Sequence, residues 1–151
     1  MLPNTTTRVQ NNTAAAINQR IAQETEERIR FYAANPHRIH QRLQELDEEW
    51  DMERTLETNA SGLALVGVAL GAFVNKRFLV ALPALITGFL LQHALQGWCP
   101  PVPYFRRRGV RTATEIERER YALKALRGDF QPIARGADND TATATVLRAV
   151  G

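Results

Sequence analysis

The residues best suited to chemistry are one cysteine, one histidine and a short run of arginines in the second half of the chain. Cys99 is the only cysteine among 151 residues, so neither an intramolecular disulfide nor a four-cysteine metal site can form. Because Cys99 is a lone cysteine beside basic residues, its thiol is a candidate for redox or sulfur-transfer chemistry. The alternative is an unreactive cysteine in a tight turn, and the lack of an adjoining histidine or second cysteine favours it.

His93 lies in the last turns of an apolar run, shortly before Trp98. An ionisable residue inside a membrane segment is a functional candidate, but a histidine that is hydrogen-bonded at the membrane interface explains the same position. Tryptophan is enriched at that interface, so we place both residues there. His37 and His40 are far away in sequence, and no pair of nucleophile and base stands out. We therefore predict no catalytic, cofactor-binding or metal-binding residues, no cofactor, and a protein that is not an enzyme.

Arg106, Arg107 and Arg108 form a run of three consecutive basic residues. The formal net charge of the chain is only +3, and most other basic residues are interleaved with glutamates. Anionic lipid headgroups explain such a short basic collar better than nucleic acid does. The sequence thus predicts a lipid bilayer, and no nucleic acid, as a partner.

Two apolar runs at residues 60–74 and 78–97 must position these residues. A membrane-spanning helix needs about 20 apolar residues; the second run has about 20, and the first reaches about 18 with its polar ends. Apolar side chains surround both runs, unlike those of an amphipathic surface helix, and a lone pair of strands would leave backbone groups unsatisfied in lipid. We predict a transmembrane helical hairpin over residues 58–98. The alternative is a soluble helical protein with this pair as its core, although the charged flanks offer little to cover it.

The distribution of arginines predicts the orientation. Only Lys76 and Arg77 lie between the runs, whereas the flanking segments carry many more arginines. The excess of positive charge marks the cytoplasmic side. Residues 1–13 lack the apolar core of a secretion signal, so we expect the hairpin itself to direct insertion. We predict a multi-pass membrane protein with both termini in the cytoplasm.

Small residues recur four apart in both runs, as Gly67 with Gly71 and as Ala84 with Gly88. This spacing places small residues on one helix face, where two backbones can approach closely. These helix-packing residues either join the two spans of one hairpin or also drive the association of two copies.

The N-terminal part divides into a disordered tail, residues 1–12, and a charged cytoplasmic region, residues 13–57. Asn35-Pro36 separates two helices in that region, and the second is predicted over residues 37–57. The second helix carries an apolar seam, which is formed by Ile39, Leu43, Leu46 and Trp50. The two helices could fold back on each other, lie on the membrane surface or pair with a second copy.

Residues 99–130 comprise a proline-rich exit, the basic collar and a short helix. Pro100, Pro101 and Pro103 predict an extended exit from the second span. A helix from Ala113 to Arg127 follows a capping-box pattern and ends before a glycine. Residues 131–151 have low complexity and are expected to be disordered. The predicted fold class is therefore all-α: two transmembrane helices, two N-terminal and one C-terminal cytoplasmic helices, and disordered ends.

The Asn75-Lys76-Arg77 connection, the exit G-W-C-P-P at residues 97–101 and the segment RTATEIERERYALKALRGDF resemble a family of small bacterial inner-membrane proteins. These proteins carry the transmembrane domain of unknown function that follows the rhodanese domain in YgaP-like proteins. The resemblance implies a helical hairpin in the inner membrane, often dimeric, with cytoplasmic termini. The N-terminal part of this chain has no rhodanese cysteine loop, so sulfurtransferase activity is not implied.

These observations leave two principal functional hypotheses. The first is a non-enzymatic membrane protein that self-associates through its hairpin into a homo-oligomer and presents cytoplasmic helices to an unknown protein partner. The second is a membrane component of sulfur or redox metabolism that uses the interfacial thiol of Cys99. A channel is a weaker third option, because one hairpin supplies few pore-lining groups.

Overall fold

The computed structural model describes residues 4–131 and 139–150, and all regular secondary structure in these ranges is helical. The predicted all-α class is therefore confirmed for the described residues. The chain divides into two compact units, one formed by Met1–Ile21 with Trp50–Ala113 and one by Ala22–Glu49 with Thr114–Gly151. The helices are α1 Arg8–Asn11, α2 Ala15–Ala34, α3 Ile39–Glu48, α4 Met52–Phe73, α5 Arg77–Gln96, α6 Val102–Arg107, α7 Ala113–Arg127 and α8 Asn139–Val150, with a 3₁₀ turn at Pro36–Arg38.

The first apolar run belongs to a longer helix than the sequence indicated. α4 has 22 residues and begins at Met52, whereas we predicted one helix through residue 57 and a separate span from residue 58. The reason is a cap: the Asp51 side chain accepts a hydrogen bond from the backbone N–H of Arg54 at 2.8 Å, which satisfies a free donor of the first turn. The helix predicted over residues 37–57 is consequently interrupted between Glu48 and Met52.

α4 and α5 pack against each other, and the closest approach is at two glycines of α4. A Cβ atom on Gly67 would lie 3.0 Å from Cβ of Leu82, and one on Gly71 would lie 2.5 Å from the backbone of Leu79. These glycines thus let the two backbones approach, as the spacing of small residues predicts for packing within the pair.

The outward faces of these two helices are strongly apolar. The described chain contains two helical stretches that are long and apolar enough to cross a membrane, Pro36–Phe73 and Leu79–Gln96. Only 17% and 6% of their most apolar windows are buried, and Phe73 is 89% exposed. A soluble protein rarely leaves an apolar surface of this extent uncovered.

The segment after α5 is not extended as the prolines predicted. Gly97 adopts φ +76° and ends α5, the chain turns at residues 100–101, and α6 starts at Val102. Proline is compatible with the first turn of a helix, where its missing N–H has no partner to lose. The resulting turn places Cys99 and Val102 in a core cluster with Val9, Met52 and Leu56.

The N-terminal segment also differs from the expectation of a disordered tail over residues 1–12. Arg8–Asn11 forms a helical turn whose Val9 side chain is buried in that cluster. Burial of one valine side chain contributes roughly 1.5–3 kcal/mol, which helps to hold this segment in place.

The second unit has its own core, and the predicted seam of α3 lies in it. Ile39, Leu43 and Leu46 pack with Ile116 and Leu123 of α7. These three residues of the seam are therefore covered by α7 of the same chain, an arrangement that the sequence did not suggest.

Three further expectations concern this part of the chain. Trp50, which we placed in the seam, is instead exposed and stacks under the guanidinium of Arg54. The predicted helix from Ala113 to Arg127 is confirmed. Residues 139–150, in the expected disordered tail, are helical in α8, while residues 132–138 and residue 151 of that tail lie outside the described residues.

Candidate functional site

Three side chains from three segments of the first unit converge at one end of the α4 and α5 pair. Glu53 lies in the first turn of α4, His93 lies in the last turn of α5, and Cys99 follows the turn after α5. The backbone N–H of Gly97 donates to the carbonyl of His93 at 2.7 Å, and the left-handed conformation of Gly97 reverses the chain. This reversal brings the Cys99 side chain back to the imidazole of His93.

The imidazole of His93 is held from one side by a carboxylate. Its Nε2 lies 2.9 Å from Oε2 of Glu53, and Oε1 of the same carboxylate accepts a hydrogen bond from Nη2 of Arg8 at 2.9 Å. A carboxylate that is paired with arginine is ionised and can only accept, so Nε2 carries the hydrogen in this contact. In the neutral ring, Nδ1 is then the acceptor.

The imidazole has a thiol as a further polar neighbour. Cys99 is the second polar neighbour of the ring, and Nδ1 is buried without a hydrogen-bond partner. His93 is 3% exposed and Cys99 is 2% exposed. The arrangement of a thiol, an imidazole and a carboxylate has the order of groups that activates nucleophilic thiols.

α1 and the residue after it contact this end of the α4 and α5 pair through polar groups. Besides the contact from Arg8 to Glu53, the side-chain amide of Asn12 donates to the carbonyl of Gln96 at 2.9 Å. A Cβ atom on Gly97 would lie 2.6 Å from the backbone of Arg8, so the absence of a side chain permits this close contact. The last carbonyls of α5, which lack partners within the helix, are thus partly satisfied.

An apolar groove of about 210 Å³ lies beside the thiol. Its walls come from α4, α5 and the segment that contains Cys99, and all of them belong to the first unit. The lining residues are Leu56, Asn59, Ala60, Leu63, Ile86, Phe89, Leu90, Cys99, Pro101 and Phe105. The groove is the route by which a reagent could reach a thiol that is hidden from water.

The sequence predicted some members of this site and missed its assembly. His93 and Cys99 were considered separately, and the expectation that no histidine adjoins Cys99 is wrong. Glu53 was not considered at all. The signal for this contact is Gly97, which lies between His93 and Cys99. A glycine that ends a helix reverses the chain and so can bring the residues before and after it together.

The basic collar is divided between the interior and the surface. Arg106 is fully buried, and its guanidinium donates to Oδ1 of Asn18 at 2.9 Å and to the carbonyl of Val110 at 3.0 Å. The prediction that Arg106 faces lipid headgroups is therefore wrong, because its charge serves internal contacts. Arg107 and Arg108 are exposed. Trp98 is half-buried.

The two pairs of small residues have different surroundings. Gly67 and Gly71 are buried against α5, whereas Ala84 and Gly88 are exposed on the outer face of α5. A Cβ atom on Gly88 would meet nothing within 4 Å. The face of Gly67 and Gly71 is thus already occupied within the chain.

Among residues 4–131 and 139–150, no group of three or more His, Cys, Asp or Glu side chains is arranged to hold a metal ion. Comparisons of the chain with protein-family models, with curated proteins and with solved structures found no match. The resemblance to the transmembrane domain of YgaP-like proteins stays a prediction.

Proposed function

We propose that this chain is an integral protein of the bacterial inner membrane, with two spans within residues 58–98 and both ends in the cytoplasm. The observation that carries the proposal is the exposed apolar surface of α4 and α5, which lipid would cover. Within the hydrocarbon the backbone groups of both helices are satisfied internally. The flanking arginines support the cytoplasmic position of the ends.

The proposed role is non-enzymatic: the membrane pair anchors a helical unit that binds a cytoplasmic protein partner. The second unit supports this role because it has its own apolar core. Its buried Glu119 pairs with Arg28 and Arg42, which lie on two other helices. Such internal ion pairs give the unit a defined form that a partner can recognise.

Membrane fractionation with protease protection tests the location. In inverted inner-membrane vesicles we expect protease to remove the segments before and after residues 58–98 and to leave the pair intact. In spheroplasts both ends should be protected, and Lys76 should react with an amine reagent that does not cross membranes. Recovery of the folded chain in the soluble fraction without detergent would contradict the proposal.

Self-association through the pair is part of the proposal, and the exposed face of Ala84 and Gly88 is the surface that supports it. We expect Gly88→Ile to reduce crosslinked dimers in membranes by about tenfold, because a branched side chain prevents close approach of two helices. Gly62→Ile is the matched control, since a Cβ atom on Gly62 also meets nothing within 4 Å. Equal crosslinking of both variants would count against this surface.

A second candidate function is thiol chemistry at Cys99. The observation that favours it is the convergence of His93 and Glu53 on the thiol. In that case the chain is a membrane component of sulfur or redox metabolism.

A further inference from the structure

Among the features that the anchoring role leaves unused, the groove beside Cys99 carries the strongest argument. The apolar groove has a nucleophilic sulfur in its wall, and the buried imidazole beside that thiol has an Nδ1 atom without a hydrogen-bond partner. Unsatisfied buried polar atoms are uncommon and call for an explanation. If Nδ1 of His93 accepts the proton of the neighbouring thiol, then the groove, the sulfur and this nitrogen all serve one reaction.

We infer that the groove binds the hydrocarbon chain of a long-chain acyl thioester and that Cys99 accepts the acyl group as a protein thioester. The inference rests on the proposed membrane location, because the donor would enter from the interface. Cysteines beside membrane segments are chemically suited to acylation, and each methylene of the donor that is buried in the groove adds to binding.

The walls of the groove determine which class of donor fits. Apart from Asn59 and the thiol itself, the lining side chains are hydrocarbon or aromatic, and the amide of Asn59 donates to the carbonyl of Thr55 at 2.7 Å. Charged or strongly polar reagents would lose hydration there without gaining partners. An acyl chain loses no hydrogen bonds on entering.

The transfer balances with groups that the site and the donor supply. The thiol proton of Cys99 passes to Nδ1 of His93, and the sulfur attacks the acyl carbon. A bond forms between Sγ and that carbon, the bond from the carbon to the donor sulfur breaks, and the proton passes to the departing thiolate. Glu53 stabilises the transient imidazolium, and no oxidant or reductant is consumed.

Incubation of the full chain in lipid nanodiscs with palmitoyl-coenzyme A tests the inference. We expect a hydroxylamine-sensitive adduct on Cys99 by intact mass, no adduct in Cys99→Ala, and transfer that is roughly 10²-fold or more slower in His93→Gln. Labelling of the SDS-unfolded chain at the rate of the folded chain would show adventitious acylation and overturn the inference.

Two matched variants test the groove itself. Ala60→Phe adds bulk to the groove wall, whereas Ala69→Phe makes the same change on an exposed position of the same helix. We expect the first to slow palmitoyl transfer about tenfold or more relative to butyryl transfer, and the second to have no effect on either. Equal rates in both variants would overturn the role of the groove.

A third measurement does not depend on any variant. In the unmodified chain an apolar maleimide should alkylate Cys99 much faster than a charged one, and equal rates would overturn access through the groove. Failure of acylation in a chain that fractionates with membranes would remove this inference alone. A soluble chain would instead contradict the proposed function.

Discussion

Replacement of Glu119 by alanine should lower the free energy of unfolding of the second unit by about 3 kcal/mol. The Glu119 side chain is fully buried, and its carboxylate accepts from Nε of Arg28 at 3.1 Å and from Nε of Arg42 at 2.9 Å. Loss of the carboxylate leaves two cations with reduced compensation. Removal of one partner of a buried ion pair costs about 3–5 kcal/mol. We expect a loss at the low end of this range, because Arg42 also contacts Glu45 and Glu49.

Hydrogen exchange in the full chain measures this effect. The informative amides are those of α3 and α7 whose hydrogens exchange only when the second unit opens. For these amides a loss of about 3 kcal/mol corresponds to a roughly hundredfold higher exchange rate. Glu117→Ala is the control, since the Glu117 side chain is 44% exposed and pairs with Arg120 within the same helix. Its effect should stay within about 1 kcal/mol, and similar acceleration in both variants would contradict the importance of the buried pair.

Gly71→Leu should separate α4 from α5. Even a Cβ atom at this position would lie 2.5 Å from Cα and N of Leu79, and these are backbone atoms that cannot move aside alone. Overpacking of this kind costs typically 1–3 kcal/mol and sometimes more. We expect the SDS fraction at which the pair unfolds in mixed micelles to fall clearly.

Two other glycines provide graded controls for that result. Gly67→Ala should cost less than the change at Gly71, because its nearest contacts are at 3.0–3.1 Å and involve side-chain atoms of Leu82 and Pro83. Gly88→Ala meets nothing within 4 Å and gains helix propensity of up to about 1 kcal/mol. A destabilisation by Gly88→Ala as large as that by Gly71→Leu would contradict the packing described.

Patterns that depend on composition and periodicity were predictable from the sequence. The apolar runs gave the two candidate spans, and the segment from Ala113 to Arg127 gave a helix with those bounds. Both signals are local, since they require only neighbouring residues on one helix. The cap at Asp51 was also visible in principle, because aspartate is a preferred N-cap residue.

Contacts between distant segments were not predictable from the sequence. The pairing of His93 with Glu53 joins residues 40 positions apart, and the side-chain amide of Asn12 reaches a backbone carbonyl 84 positions away. The burial of Arg106 depends likewise on Asn18, 88 positions earlier. A run of arginines has the same appearance in a sequence whether its members face lipid or an internal acceptor.

The contact of Arg8 and Asn12 with the end of α5 has a consequence for biosynthesis. Arg8 and Asn12 leave the ribosome long before Gln96 and Gly97, with which they are in contact in the folded chain. The N-terminal turn can therefore complete its contacts only after α5 has been synthesised. This docking then occurs late in the synthesis of the chain, so a label that reports it would distinguish finished molecules from those still being synthesised.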